Sequence, residues 1–178
     1  MSPAFSRRNL PLLLLRAREA VLSRFRPILT AHGLTDQQWR VARLLDETGP
    51  LEPRQIGEAV QILSASMVGV LTRMEQAELV TRRRMAADQR RVLVSLTPRG
   101  RELVARIAPL IEAQYRALEA HVGAEAFRET YEAADRLLAR LEHAGDASEA
   151  SRAARPHRSG KAMLASEAGA GAGPVESA

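Results

Sequence analysis

Along the first part of the chain the apolar positions fall at intervals of three and four. Between Leu10 and Ala31 they recur as Leu14, Ala17, Val21, Leu22, Phe25, Ile28 and Leu29, which predicts a helix with one apolar face. Pro27 is expected to kink this helix or reshape its last turn, and Gly33 to end it. Thr35-Asp36-Gln37-Gln38 then offers a capping box for a second helix, which carries Trp39, Val41, Ala42, Leu44 and Leu45 and stops at Thr48-Gly49-Pro50. Pro53 suits the first turn of a short third helix, Arg54 to about Val60. Ser64 is placed to cap a fourth, in which Met67, Val70, Leu71 and Met74 keep the helical period as far as about Ala77.

The pattern then changes. Leu79–Arg84 and Val92–Leu96 read as two strands, joined through Met85–Arg91 into a hairpin with a long polar loop. Thr97 followed by Pro98 opens another helix to about Val122, Gly123 breaks it, and a last helix spans roughly Glu125 to His143. From Gly145 onward, DASEASRAARPHRSGK and AGAGAGP lack periodicity and bulky apolar residues. Residues 144–178 are therefore expected to form a disordered tail, and residues 1–9 a flexible N-terminus. Gly169, Gly171 and Gly173 neither follow a strand nor open a helix, which excludes a phosphate-binding loop there. The chain is thus expected to be mostly α with a small β hairpin.

Composition narrows the chemistry. With 46% apolar residues in 178, the chain can bury a core, but at 3% aromatic that core must be aliphatic. The absence of cysteine excludes disulfides and thiolate zinc sites. His32, His121, His143 and His157 share no metal-ligand spacing, and no nucleophile–base pair stands out, so neither a cofactor nor an enzyme activity is expected. Ser6-Arg7-Arg8-Asn9-Leu10 before PLLLL faintly resembles an export signal, but Arg16, Arg18 and Glu19 cut the apolar run short. No stretch is long enough to span a bilayer, so a cytoplasmic protein is expected.

A net charge of +5 favours a polyanionic partner. Residues 81–97, TRRRMAADQRRVLVSLT, hold five Arg against one Asp, or +4, whereas residues 101–143 hold six Arg against eight acidic residues, or −2. Basicity is concentrated in the hairpin. The order helix, helix, short helix, helix, hairpin is the winged helix-turn-helix plan, whose fourth helix can enter a major groove. Its expected exposed side carries Ser64, Ser66, Gly69, Thr72 and Arg73. Arg90 on the wing loop can reach a minor groove, and Asp88 is placed to hold its guanidinium by a charge-assisted pair.

Three segments, LTDQQWRVARLL, ILSASMVGVLTRMEQAELVTRR and DQRRVLVSLTPRG, resemble the multiple antibiotic resistance regulator (MarR) family. The likeness extends over roughly residues 10–143, and the N-terminal block looks most like regulators of homoprotocatechuate (aromatic-acid) degradation within that family. The resemblance implies a homodimer built by helices in 10–31 and 98–143, with a DNA-binding part at 35–97 that takes a pseudopalindromic double-stranded operator. It implies DNA contacts from Ser64, Ser66, Thr72 and Arg73 on the recognition helix, and from Arg84, Asp88, Arg90 and Arg91 on the wing. Glu78 stands where the family's glycine ends that helix. A left-handed Glu78 would cost about 1–2 kcal/mol, and a differently built turn is the expected resolution.

The resemblance also implies repression relieved by a small aromatic acid, with Arg18, His32, Trp39, Arg40 and Arg43 as effector-binding candidates. Arg40 and Arg43 share a helix face, and Trp39 can stack on a ring while an arginine holds a carboxylate. The alternative for the same residues is structural: Trp39 as a core anchor, the arginines paired with Asp36, Glu19 or a partner chain. The alternative for the whole protein is a ligand-independent architectural DNA-binding protein.

Overall fold

Most helices of the fold are started by a capping side chain or a first-turn proline. The computed structural model describes residues 7–84, 88 and 90–153, the last ten as backbone only. Asn9 caps α1 (Leu10–Ala31) by accepting from the Leu12 amide at 3.0 Å. Thr35 and Gln38 form the expected capping box of α2 (Asp36–Thr48), each side chain accepting from the other's backbone N–H. Pro53 opens α3 (Pro53–Ala59). The recognition helix α4 runs Ser64–Gln76, and Thr97 caps α5 (Pro98–Val122). Strands β1 (Val80–Arg84) and β2 (Val92–Leu96) pair antiparallel from Val80↔Leu96 to Arg84↔Val92.

The core is aliphatic. Val41, Ile56, Val70, Leu71, Met74, Val80, Val94 and Ile107 are fully buried and come from α2, α3, α4, both strands and α5. Leu51 exchanges backbone hydrogen bonds with Val94 at 3.1 and 2.8 Å, which ties the hairpin base to the segment entering α3. The wing therefore cannot swing independently of the helix-turn-helix.

Three sequence expectations change. Pro27 lies inside α1, and Gly33 ends the helix as expected, its φ of +71° closing the turn with Leu34 N–H donating to Leu29 at 2.9 Å. Ser64 is the first helical residue and not the cap, which is Leu63, a residue with no side-chain acceptor. The first strand starts at Val80, one residue late, because Leu79 is the last residue of the helix-ending turn. The last helix, α6, runs Ala124–Ala153, ten residues past His143, since the Ala-rich stretch after Gly145 favours a helix without needing a packing face. Residues 154–178 of the expected tail and 1–6 of the N-terminus lie outside the described residues. The chain divides into two units, 1–124 and 125–178, the second containing an edge-on contact of Phe127 with Tyr131 at 5.1 Å.

Glu78 resolves the missing-glycine question. Its φ is +57°, so it does take the left-handed conformation. Leu79 N–H donates to Met74 at 2.9 Å and Glu78 N–H to Glu75 at 2.9 Å, the double-bonded turn a glycine normally builds. Glu78→Gly is expected to raise stability by about 0.5–1 kcal/mol, the strain relief less the added freedom of the unfolded chain. Urea unfolding checks this; a lowered midpoint would mean that the exposed Glu78–Arg99 pair at 3.0 Å outweighs the strain.

Candidate nucleic-acid interface and effector residues

The fourth helix buries Met67, Val70, Leu71 and Met74, so its opposite side faces outward. Ser64, Ala65, Ser66, Val68 and Arg73 are exposed there, with Gly69 and Thr72 half-buried. From Ala59 to Met74 the only charged residue is Arg73, so no carboxylate repels a phosphate along this stretch. Thr72 is partly engaged: its hydroxyl accepts from Arg82 at 3.2 Å. Arg82 also lies 3.4 Å from Glu75, an ion pair without hydrogen-bond geometry at Nε. Arg82 thus fastens β1 to the recognition helix, a role the sequence reading did not single out. Arg84, two residues on along the strand, shares its face and is exposed.

At the hairpin tip the expected pairing of Asp88 is corrected. Its Oδ1 accepts from the backbone N–H of Arg90 at 3.0 Å, and its carbonyl from that of Arg91 at 3.0 Å. Asp88 shapes the turn, as a short acidic side chain does two residues ahead of an amide. Among the described residues, Arg90 has no acidic partner and is exposed. Arg91 differs: its guanidinium pairs with Glu52, in front of α3, with an Nε–Oε1 distance of 2.6 Å. It anchors the wing to the helix-turn-helix, and that charge is partly neutralised before any DNA arrives.

The five effector candidates do not converge. Asp36 bridges Arg18 at 3.5 Å and Arg40 at 3.3 Å, and Arg40 also donates to the Val60 carbonyl. Arg40 Nε is buried without a hydrogen-bond partner among the described residues, so this guanidinium is fixed by the fold. Trp39, 8% exposed, belongs to the core. These are the structural roles weighed for Arg18, Arg40 and Trp39. His32 Nδ1 donates to the Ile28 carbonyl at 2.8 Å, and the ring lines a separate cavity of about 280 Å³ with Leu34, Leu79, Leu103, Arg99 and Arg106. Arg43 is the remaining exposed candidate. Hydrogen bonding to Glu47 at 2.7 Å raises its pKa further, and Tyr115 of α5 acts in the same direction. Tyr115 in turn packs on Phe25 with ring centroids 4.7 Å apart. Arg43, Tyr115 and Phe25 form a small aromatic and cationic cluster, and Trp39 lies in the core one turn before Arg43. Tyr115 was missed in the sequence because nothing in α5 marks it; Phe25 appeared there only as a core position.

The MarR family model matches residues 34–92. The homoprotocatechuate degradative operon repressor of Escherichia coli is 44% identical over 117 residues, 66% of this chain and 79% of that protein. Among solved structures, NadR in complex with 4-hydroxyphenylacetate superposes with a TM-score of 0.65 at 39% identity, covering 79% of this chain and 97% of its own. The transcriptional repressor CouR bound to a 23-mer DNA duplex superposes with a TM-score of 0.64 at 27% identity, covering 75% and 92%.

Proposed function

From the premise that this chain belongs to the MarR family, we propose that it is a dimeric repressor that binds a pseudopalindromic operator and is released from it by a small aromatic carboxylic acid. The observation that carries the DNA-binding reading is the linkage of wing and recognition helix. Arg82 joins β1 to α4, Arg91 joins the hairpin tip to Glu52, and Leu51 pairs with Val94. A recognition helix whose one acidic residue, Glu75, is paired with Arg82, and a basic wing are thereby held as one preorganised surface, with Ser64, Ser66, Arg73, Arg84 and Arg90 open to phosphates and base edges.

A second copy of the chain accounts for the apolar surface that one copy leaves bare. Leu10, Leu12, Leu13, Leu14 and Leu15 on α1 are 40–59% exposed, and Leu138 and Leu141 on α6 are 56% and 62% exposed. A two-fold dimer covers such surface and sets two recognition helices at successive major grooves, ~34 Å apart. Neither Asp88 nor Thr72 needs to touch DNA in this reading: one shapes the wing turn, the other receives Arg82.

For the effector, the cluster of Arg43, Tyr115 and Phe25 supports the reading best. Arg43 offers a guanidinium for a carboxylate, and Tyr115 a hydroxyl on a half-buried ring inclined at 53° to Phe25. That NadR was solved with 4-hydroxyphenylacetate motivates the ligand class. Binding would relieve repression by favouring a dimer whose reading heads no longer match the operator. A thermal-shift screen of hydroxylated phenylacetates, benzoates and pyridine-carboxylates tests this, since a ligand that binds the native state raises the midpoint by mass action. Arg43→Met is expected to weaken binding of the stabilising acid by about 10- to 100-fold, the worth of hydrogen bonds to a charged group. Absence of any stabilising acid, together with equal affinity for selected and random duplex, would point to the architectural protein instead.

A further inference from the structure

The recognition helix carries apolar surface where a polar one would fold better. Leu63 is 82% exposed and stands at the N-cap of α4, where its carbonyl accepts from the Ser66 amide at 2.9 Å but no side-chain oxygen caps the first turn. Two residues earlier Gln61 occupies a left-handed conformation at φ +54°. Both depart from what local stability favours, and such departures gather at functional surfaces. Val68 is 63% exposed and lies between Ser64 and Thr72 on one i, i+4 row, so it faces whatever those two hydroxyls face.

We infer that Leu63 and Val68 pack against thymine C5-methyl groups in the major groove, and that each operator half-site therefore places thymine opposite them. The inference rests on the operator-binding reading above. The thymine methyl is the one apolar feature that a base pair presents in the major groove, and an aliphatic side chain there discriminates T·A from the other pairs without a hydrogen bond. The surroundings suit a duplex: Arg54 and Arg82 border the same cleft as Val68, Ser64 and Leu71, and no acidic residue lies between Ala59 and Met74. Leu63 borders the adjoining groove with Arg54, Gly57, Glu58 and Ser64, where Glu58 pairs with Arg54 at 2.8 Å. Phosphates would meet the exposed Arg73, Arg84 and Arg90 while the methyl groups meet the two aliphatic side chains.

The test uses the full chain and a duplex selected from a random pool for tight binding. Thymines in each half-site are replaced one at a time by uracil, which removes only the methyl group. At the two contacted positions affinity is expected to fall about fourfold for each methyl lost. Leu63→Ser should weaken binding to the thymine duplex while raising the thermal midpoint by about 2–4 °C, because it supplies the missing cap. Val68→Ala should weaken binding by a similar factor with its fold intact by circular dichroism. Each variant's loss should vanish on the duplex that carries uracil at its own contact. Uracil-insensitive binding, or losses that persist on uracil duplexes, overturns the methyl contacts alone. A selection that yields no sequence preference overturns the operator reading and this inference together.

Discussion

Replacing Arg90 with alanine is expected to weaken operator binding by about 1–3 kcal/mol per protomer, with the oligomeric state and thermal midpoint unchanged. The hairpin tip is held by Asp88 acting on the backbone amides of Arg90 and Arg91, so the Arg90 side chain is not needed to form it. The exposed guanidinium has no acidic partner among the described residues, and DNA need not displace one. Because each protomer of a dimer contributes one Arg90, the loss counts twice. The slope of log affinity against log salt should also fall by about one for each phosphate contact removed. Gel-shift or fluorescence titrations at several salt concentrations read both quantities, and unchanged operator affinity would remove the wing from the mechanism. Asp88→Asn sharpens the result. Asparagine keeps an acceptor at the same place, so near wild-type affinity is expected; a loss as large as that of Arg90→Ala would show that the carboxylate charge acts on the guanidinium after all.

The largest expected effect on stability comes from Gly100→Ala. Gly100 is the third residue of α5, and its amide donates to the Thr97 hydroxyl at 3.0 Å. A methyl group added there would lie 2.1 Å from the Leu79 carbonyl oxygen and 3.1 Å from Leu96 Cδ2. The Leu79 oxygen cannot retreat easily, since it also accepts from the Thr97 backbone N–H at 3.0 Å. Relief therefore requires moving α5 away from the base of the hairpin, at an expected cost of about 3 kcal/mol. Urea unfolding measures it, and a wild-type midpoint would show that α5 can slide aside. Operator binding should weaken as well, because this contact seats the wing on the long helix.

Much of the fold is legible in the chain. The intervals of apolar residues, the caps Thr35 and Thr97 and the first-turn Pro53 place the starts of all six described helices within one residue. The exception in kind is α4, whose start was assigned to Ser64 as cap when Leu63 holds that position. Propensity favours serine there, and the propensity rule fails where the surface faces a proposed partner. The end of α4 was misjudged for a related reason: a glutamate at φ +57° is rare enough that an altered turn looked cheaper. Thr97 holds that backbone by donating to the Glu78 carbonyl from its hydroxyl and to the Leu79 carbonyl from its amide, across 19 and 18 residues.

The candidate sites were legible by residue type and much less by role. Charge counting found the basic hairpin, and helical spacing found the outward face of α4, because both are local properties of a few consecutive residues. Which arginines remain free was decided elsewhere. Arg82 is taken by Thr72 and Glu75, Arg91 by Glu52, and Arg18 and Arg40 by Asp36, and most of these partners lie 10 to 39 residues away. By itself the sequence determined the elements, their order and the concentration of positive charge, since period, caps and composition act over a few residues. Only the tertiary structure decided that Arg90 is exposed without an acidic partner among the described residues, that Gly100 admits no methyl group and that Tyr115 joins Arg43. Those facts depend on distances between segments that meet only once the core has closed.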